Sequence, residues 1–499
     1  MAKVKTVAAS TNTLLAGLQR TTQWDSTALT RFFATAADSA TIDARYQAKY
    51  GVAPGAANPH DPIDTTSPFE AGEQVWYDAA ENAIDAFSLV SGLSFSDAAS
   101  IGASDIVFSG GYGSTAGVVA WMNAPGSLLQ PGETDQYQSF LINRMGHAPY
   151  EVAAERGGAD FATFVIMHEL GHGLGLSHPH NADNGTTAWA DSAANATDNK
   201  ADNARYTVMS YEIGGIDTRV FTNFGNNVTP AALDIAALQA VYGTAAAHTG
   251  NTTYTITDQG SADLDVDGSD NTISVGRAFY TIWDTGGDAD AIEYSGARNA
   301  YINLNDATLV QTDTAADTAL LKAIRKTDAF SEMTTDHGDG ATSQPRNELT
   351  DADYHAGGYY STVSVGGTGT QLGGYSIANG VVIENATSGT GKDMLIGNEA
   401  ANTLESGGGD DMLAGADGND TLKGGAGDDE MIGGGGDDRL EGGATDFDLA
   451  FAQWIHGINR GVLLPPGLDE QWLISVMHDD DAAMRYATVF DEFVDELIG

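Results

Sequence analysis

Residues 165–182 read VIMHELGHGLGLSHPHNA. On a helix, His168 and His172 lie one turn apart on one face, so both imidazoles can reach a single metal ion. Glu169 is offset from that face by about 100°, close enough to face a metal-bound water but not placed as a third ligand. Gly175 permits a sharp turn that most residues would find strained, after which His178 can return to the same ion. Three neutral imidazoles suit zinc and leave a coordination position open for water, the catalytic rather than the structural arrangement. A bare HExxH is weak evidence; HExxHxxGxxH is far more specific. A methionine turn should follow, and YTVMSYE at 206–212 supplies one, with Met209 as an apolar floor beneath the metal.

The rest of the chain has three textures. Residues 1–245 read as a mixed α/β domain. In TSPFEAGEQVWYDAAENAIDAFSLVSG, Ser67, Pro68 and Glu70 have the spacing of a helix start. Trp76, Ala79, Ala80, Ala83, Phe87 and Val90 then recur at helical period. SDIVFSG at 104–110 and STAGVVAWM at 114–122 read as strands. TPAALDIAALQAVYG reads as a second helix, with Thr229 as cap and Gly243 as stop. From about 246 to 387 the chain becomes strand-like, interrupted over 313–350 by a short helical candidate and a polar loop.

Residues 388–442 repeat with period nine. The sixth positions are Asp393, Asn402, Asp411, Asp420, Asp429 and Asp438; the eighth are Leu395, Leu404, Leu413, Leu422, Met431 and Leu440. The segment carries 13 acidic against 3 basic residues and one large apolar side chain per unit, so alone it cannot offset its ordering entropy and self-repulsion. Calcium supplies what is missing: carboxylates and glycine-exposed carbonyls become oxygen ligands, and the turns stack their apolar residues inward. The units are similar to the calcium-binding nonapeptides of RTX proteins. Asp393, Asp411, Asp420, Asp429 and Asp438 are the calcium candidates, and Ala400 with Asn402 makes the second unit the weakest.

Composition bounds the partners. With 499 residues, the chain exceeds the size at which single cores stop growing. A formal charge of -47 disfavours nucleic acid and anionic membranes and favours divalent cations. With no cysteine, disulfides, thiolate ligands and a cysteine switch are excluded. No apolar run is long enough for a membrane span, and the N-terminus lacks a signal-peptide core.

HELGHGLGLSHP, VMSY, DIAALQAVYG, IWDTGG and the nonapeptides together resemble the serralysins, RTX metalloproteases of the metzincin clan, over residues 65–442. The resemblance implies a metzincin-like α/β (α+β) protease domain followed by an all-β parallel β-roll; in the tail, LAFAQWIHGI, EQWLISVMH and ATVFDEFVDELIG read from their own pattern as amphipathic helices. It implies one zinc ion on His168, His172 and His178, several structural calcium ions, Glu169 as general base and Tyr211 as oxyanion donor. It further implies a monomeric secreted endopeptidase acting on extracellular proteins and peptides, exported by a type I ABC exporter. STAGVVAWM matches the edge strand lining the family's cleft. The boundaries expected are 1–20 as a removable N-terminal segment, 21–245 protease, 246–387 connecting β region, 388–442 β-roll and 443–499 a cap or export signal. Glu212 stands where the family has tryptophan, IWDTGGDADAIEYSG is one residue longer than usual, and the tail departs from the family's ending. His180 and the other histidines are expected at the surface. A non-enzymatic RTX adhesion protein with a relic protease domain, or a protease confined to itself or one dedicated substrate, are the alternatives left open.

Overall fold

A computed structural model describes residues 3–38, 40–41, 63–67, 74–113, 120–122, 125, 138–143, 159–180, 186, 189, 201–211, 226–257, 272–274, 278–310, 356–363, 374–443, 462–463 and 474–475. Four helices are labelled here: α1 (Thr13–Leu18), α2 (Gln74–Val90), α3 (Ala159–Gly173) and α4 (Ala232–Tyr242).

The first region is a sheet with helices packed on it. Its strand order is Ser94–Asp97, Ala28–Phe33, Ile106–Gly113, Gln138–Asn143 and Ala120–Met122, with Ile63–Ser67 paired to the far end of Ile106–Gly113. All pairings are parallel except those of Ala120–Met122 and Ile63–Ser67, so 120–122 forms an antiparallel edge. Ala79, Ala80, Ala83, Phe87 and Val90 of α2 are buried, as the helical period requires. The expected start of this helix is not where it lies. Ser67 ends a strand whose partner is Gly110, and α2 begins at Gln74; ladder pairing overrides the local capping signal.

A second correction concerns α4. Its cap is Ala231, not Thr229, and the capping oxygen comes from within the helix: the Ala231 amide donates to Asp234 Oδ2 at 3.0 Å. The Thr229 hydroxyl instead accepts the Thr281 amide at 2.7 Å. Gly243 closes the helix with φ of 80°, a conformation suited to glycine.

The β-rich half is a two-faced parallel roll. One sheet runs Thr272–Ser274, Thr253–Thr257, Ala291–Tyr294, Asn385–Thr387, Thr403–Glu405, Thr421–Lys423, Arg439–Glu441, and is parallel throughout. The opposing sheet runs Thr362–Val363, Ala300–Asn303, Met394–Ile396, Met412–Asp417, Glu430–Gly435. Successive nonapeptides alternate between sheets, so each strand pairs with the one two units later: Leu395 with Leu413, Leu404 with Leu422, Leu413 with Met431. These eighth-position side chains are buried between the faces. The roll is continuous with the strands before residue 388.

The two halves interlock. Asn226–Asn227 adds to the strand Ala278–Ile282, Tyr360 Oη donates to the Arg205 carbonyl at 2.7 Å, and Asn12 Nδ2 donates to the Leu309 carbonyl at 2.8 Å. One apolar core runs from Leu14 and Phe87 through Tyr206 and Phe279 to Leu422. Residues 14–20, expected to be removable, belong to it: Leu14, Leu15 and Leu18 are buried.

Within the tail, where helices are expected, Val462–Leu463 and Ile474–Ser475 pair antiparallel. The rest of the tail, and the 313–350 interruption, lie outside the described residues. No helix among the described residues is long and apolar enough to cross a membrane.

Candidate metal centre

Helix α3 carries His168, Glu169 and His172. It ends in a reversal built on Gly175: the Leu176 amide donates to the Gly171 carbonyl at 2.8 Å and the Gly175 amide to the His172 carbonyl at 3.0 Å, with φ of 97° at Gly175. This is the Schellman arrangement, which needs a left-handed residue at that position. The reversal returns His178 to the helix face. His178 Nε2 lies 3.1 Å from His168 Nε2 and 3.0 Å from His172 Nε2, and the three donors fall within 4.8 Å of one another.

The protonation of this group follows from its outer contacts. His168 Nδ1 lies 2.7 Å from the Val208 carbonyl and His172 Nδ1 lies 3.1 Å from the Leu176 carbonyl. A carbonyl can only accept, so in both neutral rings the proton sits on Nδ1 and Nε2 presents a bare lone pair. Burial pushes His168 down to about 4 and His178 to about 3, and it holds His172 low, aided by its neighbouring imidazoles. Neutral imidazole lone pairs converging in a buried site are unfavourable until a cation fills the space between them. The donor set fits zinc, with three nitrogens and no fourth His, Cys, Asp or Glu in the group among the described residues.

Glu169 is buried beside this group, and desolvation raises its carboxyl to about 8, offset in part by a hydrogen bond from the Met122 backbone. Met122 ends the antiparallel edge strand, and its sulfur packs against α3 so closely that a Cβ on Gly173 would meet it at 2.5 Å. Met209 lies below the histidines: a Cβ on Gly171 would meet its sulfur at 2.7 Å. Tyr211 stacks over His168 with ring centroids 5.5 Å apart and sits 4.5 Å from the His178 ring, yet is 62% exposed. It is the one large side chain of this group that solvent and ligand reach freely.

His180, expected at the surface, is partly exposed and packs on this group. Its ring stacks on His178 at 5.0 Å and 11°, lies 4.8 Å from Tyr211, and places Nδ1 3.8 Å from Asp202 Oδ2. Its position after the motif is visible in the sequence, but its contact with Asp202 is not. Sequence reasoning also missed Asp234, which fixes the methionine turn by accepting from the Thr207 hydroxyl at 2.6 Å and the Val208 amide at 2.7 Å. Glu212 lies outside the described residues.

The repeats carry a second class of site. Each sixth-position Asp uses one oxygen structurally: Asp411 Oδ1 accepts the Asp393 amide, Asp429 Oδ1 the Asp411 amide, Asp420 Oδ1 the Asn402 amide and Asp438 Oδ1 the Asp420 amide, at 2.7–3.1 Å. The other oxygen, Oδ2 of Asp393, Asp411 and Asp420, is buried with no hydrogen-bond partner. Such an orphaned carboxylate oxygen is costly without a cation, and its regular recurrence fits calcium. Asn402 breaks the pattern as expected. Its amide is satisfied within the protein, accepting from the Asn398 amide and donating to the Glu384 carbonyl and Asn398 Oδ1. Nearer the protease half, Asp284 and Asp290 are buried and hydrogen-bonded to Tyr254 Oη and the Thr252 amide, while Asp288 is exposed.

Comparison with known proteins agrees with this geometry. Residues 387–422 and 414–446 match the RTX calcium-binding nonapeptide repeat family. Over 333 residues the chain is 30% identical to a protein named Metalloprotease AprA from Pseudomonas entomophila, covering 65% of this chain and 54% of the relative. It is 31% identical over 246 residues to a serralysin from Photorhabdus laumondii, covering 48% and 38%, and 34% identical over 244 residues to Serralysin B from Dickeya chrysanthemi, covering 48% and 36%. The chain thus spans about half or less of the length of these relatives. By its nonapeptide roll, its three-histidine centre and these relatives, the chain is similar to the serralysin RTX metalloproteases.

Proposed function

We propose that this protein is a secreted, calcium-dependent zinc endopeptidase that hydrolyses peptide bonds of extracellular proteins. The observation that carries the reading is the convergence of three imidazole Nε2 atoms beside a buried glutamate. His168, His172 and His178 hold zinc, which supplies Lewis acidity toward water and the scissile carbonyl.

The chain's own residues do the rest. Glu169 takes a proton from the attacking water and hands it to the leaving amine. A raised carboxyl suits both tasks, and a cation on the imidazoles draws its affinity for protons down toward the working range. Tyr211, exposed and resting against His168 and His178, donates a hydrogen bond to the carbonyl oxygen as negative charge develops there. The strand 120–122 ends the sheet next to Glu169, where an extended substrate adds as a further strand. Asp393, Asp411, Asp420, Asp429 and Asp438 hold calcium.

The repeats support export by a type I ABC exporter. In calcium-poor cytoplasm the acidic roll stays open and transportable, and outside the cell calcium closes it. The complete set of Glu169 and three histidines argues against the relic adhesion protein. Assaying a panel of unfolded proteins with the calcium-loaded chain tests the reading; cleavage of a single substrate, or of none, would favour the dedicated protease or the relic.

A further inference from the structure

The carbonyls of the turn between His172 and His178 point toward the N-terminal segment. The C-terminal carbonyls of a helix lack partners within it, and here residues 18–24 and 242 take them up in turn. Trp24 Nε1 donates to the Gly173 carbonyl at 2.8 Å, Tyr242 Oη to the Leu174 carbonyl at 2.8 Å, and the Arg20 amide and Gln23 Nε2 to the Gly175 carbonyl, each at 2.9 Å. Arg20 Nε donates to the Leu176 carbonyl at 2.8 Å, and the Ser177 amide donates back to the Leu18 carbonyl at 2.8 Å. Arg20 is buried.

The Leu176 carbonyl has two callers. It accepts from Arg20 Nε, and it also receives His172 Nδ1 at 3.1 Å. The orientation of the second histidine is therefore set by a carbonyl whose direction the arginine fixes. Two residues on, the chain returns His178. The geometry points to Arg20 as a positioning residue of the metal centre: through the Leu176 carbonyl it locks the ring of His172, and through the Gly175–Leu176 turn it sets where His178 arrives. This rests on the zinc reading above.

Outer partners that orient metal-bound histidines typically govern affinity by about 10- to 100-fold. The test uses the full chain in calcium, loaded with one zinc ion. Zinc release to a chelating dye is timed for wild type, Arg20→Met and Arg20→Lys, and the visible spectrum of each cobalt(II)-substituted protein is recorded. Lysine keeps the backbone bond, the charge and most of the stem but has no donor at the Nε position. The expected result is release about 10- to 100-fold faster in both variants, with shifted cobalt bands and an unchanged circular dichroism spectrum. Wild-type release and spectra in the variants overturn the inference, as does a lysine variant that behaves like wild type. If Arg20→Met does not fold, Arg20→Lys decides alone. A wild-type chain that binds no zinc overturns the underlying reading instead.

Discussion

Asp234 Oδ2 accepts the Val208 amide at 2.7 Å, and the carbonyl of that same residue receives His168 Nδ1 at 2.7 Å. One buried carboxylate thus caps α4, anchors the methionine turn and indirectly orients the first histidine. Burial raises its carboxyl to about 7 against three hydrogen bonds that pull it down. Asp234→Ala strands the Val208 and Ala231 amides and loses the cap, a destabilisation of about 3 kcal/mol. Thermal unfolding in calcium should show the loss, and zinc should leave the variant faster than wild type. Unchanged zinc release would separate Asp234 from the metal centre.

Removal of residues 1–20 deletes Leu14, Leu15 and Leu18 from the core and Arg20 from the turn. Each buried leucine contributes about 2–5 kcal/mol, so the truncated chain should fail to fold or to retain zinc. A deletion ending before Asn12, which caps α1 with its side chain, should be far milder. Metal content and circular dichroism of the two truncations check this.

Ala416 has φ of 78°, a position filled in neighbouring units by Gly407, Gly425 and Gly434 with φ of 85°, 90° and 106°. A left-handed alanine costs roughly 1–2 kcal/mol. Ala416→Gly should therefore raise the melting temperature of the calcium-loaded protein by an amount equivalent to about 1 kcal/mol. A lower melting temperature would mean the turn is not strained there.

The roll should respond to pH in opposite senses with and without calcium. Desolvation raises Asp411 to about 7 and Asp393 and Asp420 to about 6. The calcium-free folded roll then holds protons that the unfolded chain releases, so its stability is full below about pH 4 and is lost as pH rises through these values. Calcium must displace those protons, so its affinity weakens as pH falls through the same window. Calcium titrations followed by circular dichroism at about pH 5 and about pH 8 should give tighter binding at the higher value. Equal affinity would remove these carboxylates from the sites.

The sequence exposes what is local and periodic. Two histidines one turn apart, Gly175 and His178 name the metal centre because helix geometry and one left-handed turn bring them together. The ninefold Asp and Leu name the roll because its contacts recur at a fixed separation. What stayed hidden depends on distant partners. Ser67 reads as a cap until a strand at Gly110 claims it, and Thr229 reads as a cap until Asp234 does that work from inside the helix. Arg20 lies 156 residues from the carbonyl it holds, and no local pattern links the two. His180 follows the motif in plain view, but its stacking on His178 depends on the path of the turn.

The most direct test of the central claim is hydrolysis of unfolded casein by the calcium-loaded protein, with and without a zinc chelator, beside Glu169→Ala. One bound zinc is expected in both proteins, with chelator-sensitive cleavage by wild type and a rate lower by at least about a hundredfold in the variant. Cleavage by Glu169→Ala at near the wild-type rate, or by wild type stripped of zinc, would contradict it.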